Sequence, residues 1–300
     1  MPDKKIVVFA FFFLIQLVRA QSVDSTNTTQ NHKVAYLTTT LSMYSAGSLV
    51  LYNTWYKPYN TGKFRAFNDR NEWLGMDKTG HFVTSWWISD FIRESAELSG
   101  FTEKQSRWLG VLYPTMFMTS IEVMDGFSDG WGFSTADLLS NFGGIAFSYI
   151  QSESDFLDQF NLKYSWNAGG FSQYRPNLLG SNIPERMLKN YNEQTYWLSI
   201  PLNLFHHKIP PWLCVSLGYG AHGLLGGTNN IWDDGGKVFN YSNIPREREF
   251  NLSFDIDLRK LKVKGKAWKI FTSAVRWVKI PAPTFYYRSQ SGAGFSPIRW

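Results

Sequence analysis

From Val34 to Tyr56 the chain carries no charged residue, and Leu37, Leu41, Leu49, Val50 and Leu51 are interleaved with Thr, Ser, Ala and Gly. This run is long enough to cross a bilayer. The small residues Ala46-Gly47-Ser48 suit close packing against other helices. Helical spacing returns over about Asp77–Leu98, then over Glu103–Met124, where Thr102 supplies a cap and Pro114 an interior break. Ser134-Thr135-Ala136-Asp137 reads as a capping box that opens a fourth helix through Leu138, Phe142, Ile145 and Tyr149. Beyond about Asp158 the period changes to two. Apolar residues alternate with others over 196–204, 213–221 and 250–258, which predicts strands. Tyr164–Phe171 and Thr284–Tyr287 are weaker strand candidates, and Gly223–Gly236 reads as a loop.

The predicted fold class is therefore α+β: a bundle of about four helices followed by a β-rich antiparallel half. The expected divisions are a signal peptide at 1–20, a flexible polar leader at 21–32, a helical domain at 33–155 and a β-rich domain at 156–300. The last of these includes a basic amphipathic helix near 266–278. The signal peptide follows from Lys4 and Lys5, the apolar run from Ile6, and the small residues Val18 and Ala20 before Gln21.

Composition narrows the function. The net charge is only +6 and no long Lys/Arg block occurs, which argues against nucleic acid as a partner. Aromatic residues make up 17% of the chain, with 13 Trp, 15 Tyr and 24 Phe, a load suited to cores and membrane interfaces. Cys214 is the sole cysteine, so no intrachain disulfide forms and no cysteine stands at the cleavage site to accept a lipid. An exported chain of this size without disulfides fits a bacterial envelope.

The candidate chemistry lies on otherwise apolar helices. Asp77 and His81 are four residues apart and share a helix face, with Lys78 beside them. Glu122 and Asp125 are three apart on the next helix; Asp137 and Asn141 are four apart on the one after. Polar groups in such places need partners or a job. Three readings are open. The residues form a buried polar network that fixes helix register. Alternatively, Asp77, His81, Glu122 and Asp125 hold a divalent metal. The third reading is acid–base catalysis, with His81 carrying the proton and Glu122 or Asp125 orienting it. No cofactor signature is evident, and His206, His207 and His222 read as turn or strand residues.

The order Asp77-Lys78-x-x-His81-Phe82, Glu122-x-x-Asp125, then Gly132-Phe133-Ser134-x-x-Asp137-Leu138-x-x-Asn141-x-x-Gly144 resembles the YfiM-like family of Gram-negative envelope proteins. A similar order appears in VanZ-like membrane proteins. The likeness covers roughly residues 70–150. It implies an envelope location, periplasmic or at the outer membrane, and no known reaction. The expected partners are a membrane surface and other envelope proteins. The leading expectation is a non-enzymatic membrane-associated module, and strands of about ten residues would suit a lipid-facing sheet. The alternative is an envelope hydrolase or transferase acting on a lipid or cell-wall intermediate through His81, Glu122 and Asp125.

Overall fold

The computed structural model describes residues 26–57, 62–265, 268, 271, 272 and 275–299. The signal peptide, the leader up to residue 25 and much of the amphipathic segment at 266–278 lie outside the described residues. The chain divides into two compact units, one made of residues up to Asn68 with Thr84–Glu153, the other of Asp69–Val83 with Ser154–Trp300.

The first unit is helical. It contains α1 (Thr26–Leu51), most of α2 (Met76–Leu98), α3 (Glu103–Gly126) and α4 (Thr135–Ser152). Helix α1 reaches back to Thr26, so residues 26–32, expected as irregular leader, are helical. The predicted caps are in place. Thr102 accepts from the Gln105 N–H while the Gln105 side chain accepts from the Thr102 N–H, and Ser134 Oγ accepts from the Asp137 N–H at 3.1 Å. A two-residue parallel pairing joins β1 (Ala66–Phe67) to β2 (Phe133–Ser134).

Burial in this unit reverses the usual order. Helix α3 buries Ser106, Gly110, Pro114, Met118, Glu122 and Gly126 along one stripe, and exposes Trp108, Leu112, Met116 and Val123. Helix α4 buries Asp137, Asn141 and Ser148, and exposes Leu139, Phe142 and Ile150. Polar bonds join the helices inside: the Tyr36 hydroxyl donates to the Ile92 carbonyl at 2.9 Å, Tyr44 meets Ser120 at 2.7 Å, and the Trp86 indole donates to Gln151. Small and polar residues at the seams with Leu and Phe outside is how helices associate in lipid.

The second unit is built on six antiparallel strands: β3 (Asn161–Trp166), β4 (Gln194–Pro201), β5 (Leu213–His222), β8 (Glu247–Ile256), β9 (Ala282–Arg288) and β10 (Gly292–Arg299). Their order in the sheet is β10-β9-β8-β5-β4-β3. Strands β6 (Ile231–Asp234) and β7 (Lys237–Asn240) form a separate hairpin. The hairpin begins inside the expected loop. Its two-residue turn is Gly235-Gly236, both at positive φ, the conformation a tight hairpin demands. Two short helices, α5 (Pro176–Leu179) and α6 (Ile183–Lys189), were not anticipated, nor was β10.

The register of the sheet sorts its residues into rows. Asn161, Ser199, Ser216, Ser253, Thr284 and Ser296 stand side by side across all six strands on one face. Leu162, Leu198, Leu217, Leu252, Phe285 and Phe295 do the same on the other. The polar face is buried from β3 to β9, whereas the apolar face is exposed on β5 and β8–β10 and buried at Leu162 on β3. Ser253 is 4% exposed, whereas Leu252 is 45% and Phe285 62% exposed.

Buried charge on that face is paired. Lys163 Nζ lies 2.7 Å from Asp255, and Arg288 Nε lies 2.7 Å from Glu249, which Arg299 also engages. Lys279 Nζ donates to the Phe254 and Ile280 carbonyls at 2.7 Å. The β3 margin is bonded as well: the Tyr164 N–H donates to the Trp277 carbonyl at 2.7 Å, and its carbonyl accepts from Lys279 N–H at 2.9 Å.

Candidate functional site

A strained turn starts the site. Trp73 and Leu74 adopt left-handed backbone conformations (φ 51° and 53°), followed by Gly75 at φ 83°. Non-glycine residues rarely hold this geometry unless their surroundings impose it. Here the Trp73 N–H donates to the Gly227 carbonyl at 2.7 Å, the Tyr219 hydroxyl donates to the Leu74 carbonyl, and the Trp73 ring sits 5.3 Å from that of Tyr191. The turn launches α2 at Met76, which is fully buried against Ala221 and Leu224.

Asp77 follows in the first turn of α2 and is the hub of a charged cluster in the sheet unit. Lys78 Nζ lies 2.7 Å from Asp77 Oδ2 and 2.5 Å from Asp69 Oδ2. The Tyr191 hydroxyl donates to Asp77 Oδ1 at 2.5 Å, and His81 Nε2 stands 3.7 Å from that same oxygen. Burial works to raise the Asp77 pKa. The charges of His81 and Lys78, with the hydrogen bonds from Lys78 and Tyr191, outweigh it and hold the carboxyl below the usual range. Glu72, one turn earlier, moves the opposite way: burial and the neighbouring charge of Asp69 raise it. Sequence reasoning selected Asp77, Lys78 and His81 and missed Asp69 and Tyr191. Tyr191 is 114 residues from its partner and no local pattern marks it.

The other candidates belong to the helical unit. Ser85 Oγ donates to Asn141 Oδ1 at 2.8 Å, and Asn141 Nδ2 donates to Glu122 Oε1 at 3.3 Å, all three side chains being buried. Asn141 thus bridges a serine on α2 and a carboxylate on α3. Asp137 is buried in the first turn of α4, where the helix dipole favours a carboxylate. Asp125 meets the hydroxyl of Tyr56, whose proton is held tightly by burial first and by the Asp125 charge second. Ser85 and Tyr56 were not singled out in the sequence, because single serines and tyrosines on apolar helices are too common to signal a network.

Chemically, the Asp77 cluster can do two things. Its carboxylate can orient the His81 imidazole for proton transfer, and one carboxylate oxygen with one imidazole nitrogen at i,i+4 offers two ligands to a divalent ion. The cluster already answers its own charge, since Asp69, Lys78, Asp77 and Tyr191 form a continuous chain of short polar contacts.

Residues 65–153 match a family model described as predicted periplasmic lipoprotein (DUF2279). The match covers less than a third of the chain. It includes every candidate residue from Asp69 to Asn141 and stops before β3. No curated protein and no solved structure matches the chain. The family description fits an exported, periplasmic location for this chain and leaves its activity open.

Proposed function

We propose that this chain is a non-enzymatic, membrane-associated structural or binding module of the bacterial envelope. The observation that carries the reading is the reversed burial of the helical unit. Gln30–Leu51 of α1 is long and apolar enough to cross a membrane, and none of its residues is fully buried, although Tyr36 and Tyr44 bond to the neighbouring helices. Helices α3 and α4 bury Met118 and Ile145 together with Ser, Gly, Asn and Glu, and present Leu112, Met116, Leu139, Phe142 and Ile150 outward. In water such a surface is a liability; against lipid it is the expected arrangement. The order of residues shared with YfiM-like and VanZ-like proteins supports the same reading. In it, the Asp77–Lys78–Asp69 cluster and the Ser85–Asn141–Glu122 bridge are polar networks that fix the helices.

Cell fractionation tests the proposal. The full chain, expressed in a Gram-negative host, is expected to stay in the pellet through a carbonate wash and to leave it in detergent. Release by carbonate as a free soluble protein would overturn the reading.

A further inference from the structure

We propose that the outward face of the six-stranded sheet is a second membrane-contacting surface. Its exposed apolar residues on β5, β8, β9 and β10 would lie against the acyl chains of an anionic phospholipid bilayer, and the lysines beyond β8 would bind the headgroup phosphates. The inference rests on the membrane-associated reading above and adds the face, the residues and the lipid class.

Three observations carry it. The first is the inversion itself. A sheet in a water-soluble protein packs its apolar face on the core and turns the polar one to water. Here the polar face is closed and its charges paired, while Leu252, Phe254 and Phe285 are exposed. Apolar outside and polar inside is the pattern of sheets that face lipid, with strands of about 9–11 residues. Strands β5 and β8 have ten residues each.

The second observation is the order of side chains along that face. Tyr164, Tyr196, Tyr219, Phe250 and Tyr287 form one aromatic row across five strands. The Leu/Phe row lies next to it, two residues further along each strand, and Val215 and Phe254 follow as a pair. On the other side of the aromatic row stands exposed Arg248. Phe250 and Tyr287 are the open part of this row, beside exposed Leu252 and Phe285, while Tyr196 and Tyr219 pack on Met76, Ala221 and Leu224.

The third is charge. From Leu258 to the end of the chain there are ten Lys or Arg and no Asp or Glu. Several are neutralised on the polar face, as Arg259 is by Asp257 and Arg288 by Glu249. Lys260, Lys262 and Lys264 are exposed, and among the described residues no ion pair engages them. They alternate with Leu261 and Val263 immediately beyond β8. The apolar face therefore runs directly into a cationic rim, which complements a phosphate-bearing surface.

The test uses the full chain reconstituted into vesicles by detergent removal. With Cys214→Ala as background, an environment-sensitive fluorophore is attached at Phe254→Cys or, as control, at Val238→Cys in the β6–β7 hairpin. In phosphatidylcholine/phosphatidylglycerol vesicles the probe at 254 is expected to shift to the blue and to be quenched by nitroxide-labelled lipid, and the probe at 238 is not. If the protein co-floats with vesicles while 254 stays as unquenched as 238, this inference falls and the membrane-associated reading stands. If the protein does not float at all, both fall. A blue-shifted, unquenched probe at 254 with a dimeric mass would assign the face to a second copy and overturn the proposal.

The rim has its own arm. With Lys260, Lys262 and Lys264 replaced by Gln, apparent affinity for phosphatidylglycerol-containing vesicles should weaken roughly a hundredfold, and that for pure phosphatidylcholine vesicles should not change. Equal weakening on both would remove the headgroup contact from the proposal.

Discussion

Gly218 and Trp197 face each other across β5 and β4, and the tryptophan ring occupies the space a side chain at 218 would need. A methyl on Gly218 would lie 2.6 Å from that ring, which is itself almost wholly buried. Gly218→Ala is therefore expected to lower stability by about 1–3 kcal/mol through overpacking. The double variant Gly218→Ala/Trp197→Leu should show less than the sum of the two single losses, because the clash is gone. Thermal melts followed by near-ultraviolet circular dichroism measure both.

Gly75 gives the contrasting case. Nothing lies within 4 Å of where its Cβ would be, so space is not the constraint. Its φ of 83° is. Gly75→Ala should cost about 1–2 kcal/mol by conformation alone. A neutral result in chemical denaturation would show that the turn ahead of α2 can relax.

Asp77 predicts a pH dependence. A carboxyl whose pKa is depressed by folding adds stability above its unfolded value of about 4, and loses that contribution as pH falls through the lower folded value. Asp77→Asn should therefore be less stable than the parent at pH 6, by roughly 1–3 kcal/mol. The gap should narrow as the pH is taken below 4. A gap that is constant or widens on acidification would contradict the ion-pair account of Lys78 and His81 around this carboxylate.

Asn141 is the test of the helical unit. Asn141→Ala removes the acceptor for Ser85 and a donor to Glu122 at once, both inside the protein. The expected loss is about 1–3 kcal/mol, read as helical signal against denaturant in detergent. Ser85→Ala in the Asn141→Ala background should add little, since the two share one bond.

Much of this architecture can be read from residue order. Thr102 and Ser134 announce their helices because a capping hydroxyl followed three residues later by Gln or Asp is a local signal. The alternation of Phe250, Leu252 and Phe254 with Asn251, Ser253 and Asp255 announces β8. It does not say which set is inside. Period two is symmetric between water and lipid, and only the pairing of Asp255 with Lys163 and of Glu249 with Arg288 breaks the tie. Strand β10 is hidden because Gly292, Gly294 and Pro297 are poor strand formers; Gly294 is there to leave room for the Tyr286 ring beside it. At the Asp77 cluster the i,i+4 partner His81 is visible in the sequence. Asp69 and Tyr191 are brought in by the left-handed turn at Trp73–Gly75 and by the fold of the sheet, neither of which leaves a periodic trace.

The bonded margin at Tyr164 has a consequence for how this protein behaves in a crowded envelope. With its amide and carbonyl already committed to Trp277 and Lys279, β3 gives an incoming strand little to zip onto. At the opposite margin Pro297 and an irregular register between Ser296 and Arg299 interrupt the template. Both margins of the sheet are thereby poor templates for edge-to-edge pairing.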